Sequence, residues 1–226
     1  MVHIDFFPSS VRGGKERRKK ADQALAHDTI TDDYRIFGHD YFDNPSIGVG
    51  YGHYSYDGRF AQAAAAMSAH YHLKPNHRVL EVGCAKGYAL VEFFKQGMQV
   101  DGVDVSEYAV AHGHPEIRHS LQVGDVCSLP FSDQAFDFVF SKEMLPHVPE
   151  DRVRDAIREC MRVSKGPVFF EIQCGRTPRE LDYMRRWDAT HRIFRTPKEW
   201  DALLAEVGYT GDVHYKVLIS EEDATL

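Results

Sequence analysis

The stretch Val79-Leu-Glu-Val-Gly-Cys-Ala-Lys-Gly87 decides the fold of this chain. Its first four residues form a short, mostly apolar run, as expected of a buried strand in a parallel sheet. Small residues follow at alternate positions, Gly83, Ala85 and Gly87. Small residues let the backbone approach a ligand at the carboxyl end of a strand. A helix predicted from 89 to 97 would direct unpaired N–H groups at the same ligand. The stretch therefore predicts a strand, a ligand-binding turn and a helix.

Short strands and helices alternate on both sides of this unit. The predicted strands cover residues 78–82, 99–104, 121–123, 135–140, 167–172 and 213–219. The predicted helices cover residues 59–71, 89–97, 107–112, 150–163, 179–187 and 197–207. This alternation is typical of an α/β fold with a doubly wound, mostly parallel sheet. We expect six or seven strands, of which a single clear strand follows the last helix.

Composition narrows the class of protein. The chain has 226 residues, of which 43% are hydrophobic, enough for one α/β domain with an arm. Its net charge of −7 argues against a non-specific nucleic-acid binder. No apolar run is long enough to span a membrane, and the N-terminus lacks the pattern of a signal peptide. The four cysteines have no metal-binding spacing. These features favour a cytoplasmic protein with reduced thiols.

The N-terminal quarter differs from the rest. We predict an arm and lid over residues 1–57 and the catalytic domain over residues 58–226. Residues 1–20 resemble a mobile arm, in which the run from Arg12 to Lys20 carries six positive charges and one negative. That run is either a solvated tail or a contact for an anionic substrate or RNA. Residues 34–59, here called the collar, interleave aromatic residues with glycines. The collar is either a lid or a strap packed across the core.

The spacing of the glycine turn separates two kinds of ligand. A dinucleotide fingerprint, G-x-G-x-x-G, would need glycine at position 88, which is Tyr88. The pattern here is G-x-A-x-G. It resembles the first motif of class I S-adenosylmethionine (SAM)-dependent methyltransferases, E/D-x-G-x-G-x-G, with Ala85 in place of the middle glycine. The resemblance implies SAM as cofactor and S-adenosylhomocysteine as product. It also implies that Glu81 lies near the methionine end of SAM.

Three later segments extend the resemblance over residues 78–148. Asp104 ends the second strand, where an acidic residue accepts hydrogen bonds from ribose hydroxyls. By resemblance, residues 105–106 border the ribose and adenine. Asp125 and the next backbone N–H are expected to hydrogen-bond to adenine. Ser141 is expected to line the transferred methyl. An arginine at 59 could bind the methionine carboxylate or form a surface salt bridge. The expected cofactor-binding residues are Arg59, Glu81, Gly83, Cys84, Ala85, Gly87, Asp104, Val105, Ser106, Asp125, Val126 and Ser141.

Methyl transfer to oxygen or nitrogen requires positioning and, for many acceptors, a general base. Three residues are candidate catalytic groups: Glu143, His147 and Glu171. A structural role is the alternative for His147 and Glu171. Four residues are expected to bind the acceptor: Tyr51, Tyr54, Tyr56 and Lys142. Core packing is the alternative for each tyrosine. No metal is expected, because the histidine pairs lie in helical or loop contexts without carboxylate or cysteine partners.

Three functions fit these motifs. The first is methylation of a small molecule of the natural-product, sugar or nucleotide-sugar type at oxygen or nitrogen. The second is methylation of RNA or protein, although the N/D-P-P-Y/F motif is replaced by Ser-Lys-Glu-Met at 141–144. The third is non-catalytic SAM binding. We expect a small-molecule acceptor, no nucleic acid and no membrane partner, and the sequence favours no particular oligomeric state. Seven cations within 176–198 favour an anionic acceptor or a solvated helix face.

Overall fold

The central element of the fold is a six-stranded sheet in the order β3-β2-β1-β4-β5-β6. The structure, a computed structural model, describes residues 1–7, Lys19 and residues 30–219. The strands are β1 (Arg78–Val82), β2 (Gln99–Asp104), β3 (Leu121–Val123), β4 (Phe138–Lys142), β5 (Val168–Gln173) and β6 (Asp212–Lys216). Every neighbouring pair of them is parallel. The doubly wound α/β class predicted from the alternation is confirmed.

Helices connect the strands on both faces of the sheet. They are α1 (Asp32–Arg35), α2 (His39–Phe42), α3 (Ala61–His70), α4 (Leu90–Lys95), α5 (Glu107–Ala111), α6 (Val153–Val163), α7 (Pro178–Trp187) and α8 (Pro197–Glu206). Helices α6 and α8 pack with one set of alternate strand residues, and α3 and α4 pack with the other set. The order reverses on either side of β1, which opens a crevice at the carboxyl ends of the strands.

Strand β4 begins at Phe138, three residues later than predicted. Phe136 instead forms an isolated bridge with Ser164. The carboxylate of Asp137 accepts the backbone N–H of Arg78 at 2.8 Å. These contacts divert residues 135–137 from the ladder that the apolar pattern alone would predict.

The first seven residues are packed onto the sheet, so the prediction of a mobile arm is wrong for them. The N–H of Ile4 donates to the carbonyl of Val213, and the N–H of Val213 donates to that of Val2, both at 3.0 Å. Phe6 and Phe7 are buried in the core. This segment covers the outer edge of β6, which would otherwise present unpaired backbone groups. Of the basic run from Arg12 to Lys20, only Lys19 falls within the described residues.

The collar has an aromatic cluster of its own. Its buried side chains are Tyr34, Tyr41, Phe42, Ile47, Val49 and Tyr54. Because this cluster lies beside Ala85 and Trp187 rather than within the two main cores, the collar borders the crevice. Within the described residues, no helix has the length and apolar character needed to cross a membrane. The four cysteines are free thiols.

Candidate functional site

A cavity of about 1270 Å³ lies between the collar and the carboxyl ends of the strands. We distinguish two halves of its wall. The glycine half follows β1, β2 and β3 and contains Gly83, Ala85, Asp104, Val105, Asp125 and Val126. The charged half lies at the ends of β4, β5 and β6 and in the segment after α7, and it contains Lys142, Glu143, His147, Gln173, Asp188 and Lys216.

The glycine turn has a left-handed backbone at three alternate positions. The φ angles are +75° at Gly83, +48° at Ala85 and +72° at Gly87. A Cβ on Gly83 would lie 2.6 Å from the Cβ of Met144, so the backbone approach there requires glycine. For Ala85 the left-handed region costs about 1–2 kcal/mol. Its N–H donates to the carboxylate of Asp104 at 2.6 Å, which offsets part of that cost.

Asp104 is buried at the end of β2 and connects the turn to the next helix. One oxygen accepts the N–H of Ala85, and the other accepts the N–H of Ser106 at 2.9 Å. A carboxylate has about four acceptor positions, so each oxygen retains one. Burial raises the pKa of Asp104, and the Ser106 and Ala85 N–H groups oppose that rise. The side chain therefore holds the turn and still offers acceptors to a pair of hydroxyls.

Asp125 is more exposed and already paired. Its carboxylate contacts Arg152 at 2.8 Å and accepts the N–H of Cys127 at 2.9 Å. Partial burial raises its pKa, but the Cys127 N–H and Arg152 outweigh this and hold the pKa below its usual value. A ligand that forms a hydrogen bond to Asp125 would share the carboxylate with Arg152.

Several predicted cofactor residues lie behind the cavity wall rather than on it. Gly87 packs against the core, where an added Cβ would meet Ile117 at 2.8 Å. The Cys84 thiol packs against Gly102 in the core. The hydroxyl of Ser106 caps α5 by accepting the N–H of Ala109 at 2.9 Å. These three residues shape the turn and do not line the cavity.

Two further predicted residues, Glu81 and Ser141, are also buried off the wall. Oxygen Oε2 of Glu81 and the hydroxyl of Ser141 have no hydrogen-bond partner among the described residues. Burial raises the pKa of Glu81 well above its ordinary value, while Lys142 opposes that rise. Both side chains therefore have unused hydrogen-bonding capacity beside the cavity.

Arg59 lies on the rim of the cavity, half exposed, and pairs with Asp57 at 2.7 Å. The geometry thus matches the surface salt bridge, one of the two roles considered for this residue.

The floor of the charged half is a buried cluster of ion pairs. Glu143 contacts Lys142, receives a hydrogen bond from Gln173 and lies 2.5 Å from the Nζ of Lys216. Burial raises the pKa of Glu143, but Lys142 and Lys216 outweigh it and hold that pKa well below its usual range. Its φ of +62° is rare for a residue other than glycine and is held by these contacts. A carboxylate committed to two ammonium groups is a weak proton acceptor.

Glu171 belongs to the same cluster but lies behind its surface. Its carboxylate is 3.5 Å from the Nζ of Lys142 and 3.7 Å from that of Lys216. Burial raises the pKa of Glu171 to about 7, although both lysines oppose the rise. Because Glu171 is fully buried and absent from the cavity wall, it has no direct route to an acceptor.

His147 lines the cavity from the turn Leu145–His147 that follows β4. Its Nδ1 lies 2.9 Å from the hydroxyl of Thr190. Burial and the neighbouring His191 lower its pKa to about 4, so the imidazole is neutral near physiological pH. Of the three predicted catalytic residues, His147 combines cavity access with a free proton-accepting form.

The three collar tyrosines predicted to bind the acceptor differ in their position relative to the cavity. Tyr51 and Tyr54 line the cavity, as expected for acceptor or cofactor contacts. Tyr56 does not, so its assignment to substrate binding is corrected. Its hydroxyl lies between Glu92 and Lys95 on α4, and its ring packs on His114 at 4.6 Å. The collar turns after Tyr54 and carries this side chain to the outer face.

Sequence reasoning missed two groups at this site. The first is Lys86, a buried residue within the glycine turn, which pairs with Asp43 of the collar at 2.6 Å. The second is the segment Asp188-Ala-Thr-His191, whose polar side chains surround the inner side of His147. Closely spaced aspartate, threonine and histidine after a helix could have signalled the second group. Nothing local marks Lys86, because its partner is 43 residues away.

The cationic segment 176–198 contributes less positive charge to the cavity wall than its composition indicated. Arg176 pairs with Glu180 at 2.7 Å, and Arg186 pairs with Asp182 at 2.8 Å. Among the seven cations of this segment, Arg192 alone is on the cavity wall. Arg195 also pairs with Glu150, so at least three of the seven cations are paired with carboxylates.

Comparison with known proteins finds a methyltransferase domain within the chain. Residues 80–170 match the family described as "Methyltransferase domain". A 24-methylenesterol C-methyltransferase of Oryza sativa is 36% identical over 100 residues, which is 41% of this chain and 27% of that protein. A ubiquinone biosynthesis O-methyltransferase of Coxiella burnetii is 36% identical over 105 residues, 43% of this chain and 44% of that protein. The chain thus spans less than half the length of these two relatives.

Solved structures share the fold at low identity. An Archaeoglobus fulgidus SAM-dependent methyltransferase superposes with a TM-score of 0.56 at 18% identity, covering 78% of this chain and 72% of that one. A Bacillus subtilis protein superposes with a TM-score of 0.54 at 24% identity, covering 64% and 66%. The family match, this fold and the ordered motifs at the carboxyl ends of β1 to β4 agree. Residues 80–170 of the chain therefore match a methyltransferase domain, and the chain shares its fold with a solved SAM-dependent methyltransferase, which supports SAM as the methyl donor.

Proposed function

We propose that this chain transfers a methyl group from SAM to an oxygen or nitrogen atom of a small polar molecule. The observation that carries the proposal is one continuous cavity whose wall holds both the glycine half and His147. SAM supplies an activated methyl on a sulfonium. The chain must therefore bind the nucleoside, align the acceptor and take up the acceptor's proton.

The glycine half fits the donor. Gly83 leaves space that a Cβ would fill, and Asp104 retains acceptors for two ribose hydroxyls. Glu81 has an unpartnered oxygen near the turn, consistent with a contact to the ammonium of the methionine moiety, directly or through water. Asp125 and Val126 border the far end of this half, where adenine would lie. We propose these roles for them.

The charged half fits a polar acceptor. Lys142, Glu143, Gln173 and Lys216 offer donors and acceptors on its floor. A purely apolar group placed over them would keep water from the donors and acceptors that these ion pairs leave unused, and burying a polar group without a hydrogen bond costs about 1–3 kcal/mol. The relatives named for sterol and ubiquinone methylation differ in acceptor polarity, so the floor is the better guide. Hydroxylated or amino-bearing metabolites, including sugars and nucleotide sugars, match it.

His147 is the proposed general base. It is neutral because its pKa is lowered to about 4, and it lines the charged half of the cavity. Glu143 is held by two lysines, and Glu171 is behind the wall. The two carboxylates are therefore proposed to set the electrostatics of the floor rather than to remove the proton.

Calorimetric titration of the full chain with SAM, S-adenosylhomocysteine and NADH tests the donor assignment. We expect the first two to bind and NADH not to bind. A folded sample that binds neither SAM nor S-adenosylhomocysteine would refute the proposal.

Methyl-labelled SAM then tests the acceptor class. We expect label in hydroxylated or amino metabolites of low mass, and His147→Gln should slow transfer while donor affinity is kept. Transfer to RNA or to protein instead would refute the small-molecule assignment, and SAM binding without turnover on any panel would favour a binding protein.

A further inference from the structure

Asp188 lies on the cavity wall near His147 and accepts four hydrogen bonds through its carboxylate. Its Oδ1 accepts the hydroxyl of Thr190 at 2.6 Å, the N–H of Thr190 at 2.9 Å and the hydroxyl of Tyr34 at 3.2 Å. Its Oδ2 accepts the hydroxyl of Tyr41 at 2.9 Å. The residue is 4% exposed. A buried carboxylate with four donors is held as an anion in one orientation.

The hydroxyl of Thr190 has one proton, and the proton's position fixes the state of His147. Asp188 is ionised, because its four hydrogen-bond donors favour the carboxylate form and outweigh burial, so its pKa is lowered. The short contact between Thr190 and Asp188 must therefore use the threonine proton. The same hydroxyl lies 2.9 Å from Nδ1 of His147 and can only accept there. Nδ1 of His147 consequently carries the proton, and Nε2 has the free lone pair.

The collar takes part in this arrangement. Tyr34 and Tyr41 donate to Asp188 from 154 and 147 residues away in sequence. Burial and Asp188 raise the pKa of both phenols, so they remain donors at all physiological pH values. Two residues after Tyr41, Asp43 connects the collar to the glycine turn through its ion pair with Lys86. The collar therefore contacts both the glycine turn and the carboxylate of Asp188.

We infer that Asp188 and Thr190 are positioning residues that hold His147 in the Nδ1–H tautomer, with Tyr34 and Tyr41 of the collar completing the relay. This inference rests on the proposed role of His147 as the base. A base must present a lone pair to the acceptor, and the relay assigns that lone pair to Nε2. The same logic applies in serine proteases, where replacing the supporting aspartate by asparagine gives the wrong tautomer.

A bound cation is the competing interpretation of the same side chains. Ligand atoms of His147, Asp188 and His191 lie within 4.8 Å of one another. A metal ion would need lone pairs from all three. Both oxygens of Asp188 already accept hydrogen bonds, and Nδ1 of His147 donates to Thr190. The hydrogen-bonded relay therefore accounts for the geometry without displacing any donor, and the two interpretations predict different protonation of His147.

Nitrogen-15 NMR of the full chain, labelled at histidine, tests the tautomer directly. The signal of His147 is assigned by its loss in His147→Gln. In the parent protein we expect a protonated Nδ1 and an unprotonated Nε2. Thr190→Val should convert this signal to that of a tautomer mixture, and Thr190→Ser should restore it. Asp188→Asn should favour Nε2–H, because an amide donating to Thr190 lets that hydroxyl donate to His147.

Thr196→Val is the matched control, since Thr196 caps α8 and does not contact His147. Its histidine spectrum should equal that of the parent protein. The inference is overturned if His147 carries Nε2–H in the parent protein or if Thr190→Val leaves the tautomer unchanged. It is also overturned if Zn²⁺ or Mn²⁺ binds with 1:1 stoichiometry and the site is lost in His191→Gln. If Asp188→Asn fails to fold, Thr190→Val and Thr190→Ser still test whether Thr190 sets the tautomer of His147.

Titration of the same samples with S-adenosylhomocysteine separates this inference from the proposed function. We expect Thr190→Val to bind within about twofold of the parent protein, because Thr190 is outside the glycine half. With an acceptor in hand, Thr190→Val should lower kcat by on the order of 100-fold with little change in KM. Normal donor binding with the wrong tautomer refutes only the relay, whereas lost binding in the parent protein refutes the proposed function.

Discussion

The two halves of the cavity are built in different ways. The glycine half uses backbone N–H groups, positive φ angles and the carboxylates of Asp104 and Asp125, all within β-α units that are consecutive in sequence. The charged half uses side chains from β4, β5, β6, the segment after α7 and the collar. The first is a surface shaped by missing side chains, and the second is a surface made of buried charges. Substitutions should therefore affect ligand binding in the first and folding in the second.

The largest effect is expected for Glu143→Gln. This change leaves Lys142 and Lys216 buried without their closest anion, and breaking a buried ion pair costs about 3–5 kcal/mol. Because the folded-state pKa of Glu143 is lowered, its stabilisation is present above its unfolded pKa and is lost as the pH falls through the folded value. Urea unfolding at pH 7 measures the change.

Asp125→Asn is the matched control in the glycine half. Its pair with Arg152 is nearly half exposed, so we expect a loss of about 0–1 kcal/mol. Equal losses in the two variants would contradict the proposed contrast between the halves.

The next largest effect is on ligand affinity, for Asp104→Ala. Loss of acceptors for the ribose hydroxyls should weaken S-adenosylhomocysteine binding by about 1–3 kcal/mol, or five- to 150-fold. Calorimetry measures the affinity, and circular dichroism shows whether the fold is kept. Glu107→Ala, a change in the first turn of α5, should bind as the parent protein does. Unchanged affinity in Asp104→Ala would mean that the ribose lies elsewhere.

Glu171 should contribute a pH dependence of stability opposite in sign to that of Glu143, and Glu171→Gln should remove it. The pKa of Glu171 is about 7 in the folded state, above its ordinary value of 4.5. Its stabilisation is therefore present below pH 4.5 and is lost as the pH rises towards 7 and above. Glutamine does not titrate, so the stability of the variant relative to the parent should rise across this window, by up to about 1.4 kcal/mol per pH unit.

Unfolding free energies at pH 5, 6, 7 and 8 give this difference. Glu199→Gln, at the start of α8, is the control at an exposed position. Parallel curves for Glu171→Gln and the parent protein would show that Glu171 is ionised throughout.

The smallest effect is expected for Arg59→Ala. Its ion pair with Asp57 is half exposed, so stability should change by about 0.5 kcal/mol or less. S-adenosylhomocysteine affinity should fall by no more than about twofold, as 0.5 kcal/mol corresponds to that factor. A loss above tenfold in calorimetry would show that Arg59 leaves Asp57 to bind the methionine carboxylate and so belongs to the glycine half.

The sequence by itself determined the sheet, its parallel strands and the glycine half. These follow from local requirements: apolar runs of strand length, and small residues where φ is positive at Gly83, Ala85 and Gly87. Asp104 could be placed because it ends the strand adjacent to β1. The resemblance to methyltransferases and their donor rested on the same consecutive segments, and the match of residues 80–170 to a methyltransferase domain supports both.

Only the tertiary structure decided the charged half. Glu143 meets Lys216 across 73 residues, and Tyr41 meets Asp188 across 147. No local pattern reports such contacts, and burial, which sets the pKa values of His147 and Glu171, is a property of the packed molecule. Sequence offered Glu143, His147 and Glu171 as equivalent candidates. The fold separates them. Glu143 is neutralised by two lysines, and Glu171 lies behind the cavity wall. His147 lines the cavity with a free nitrogen.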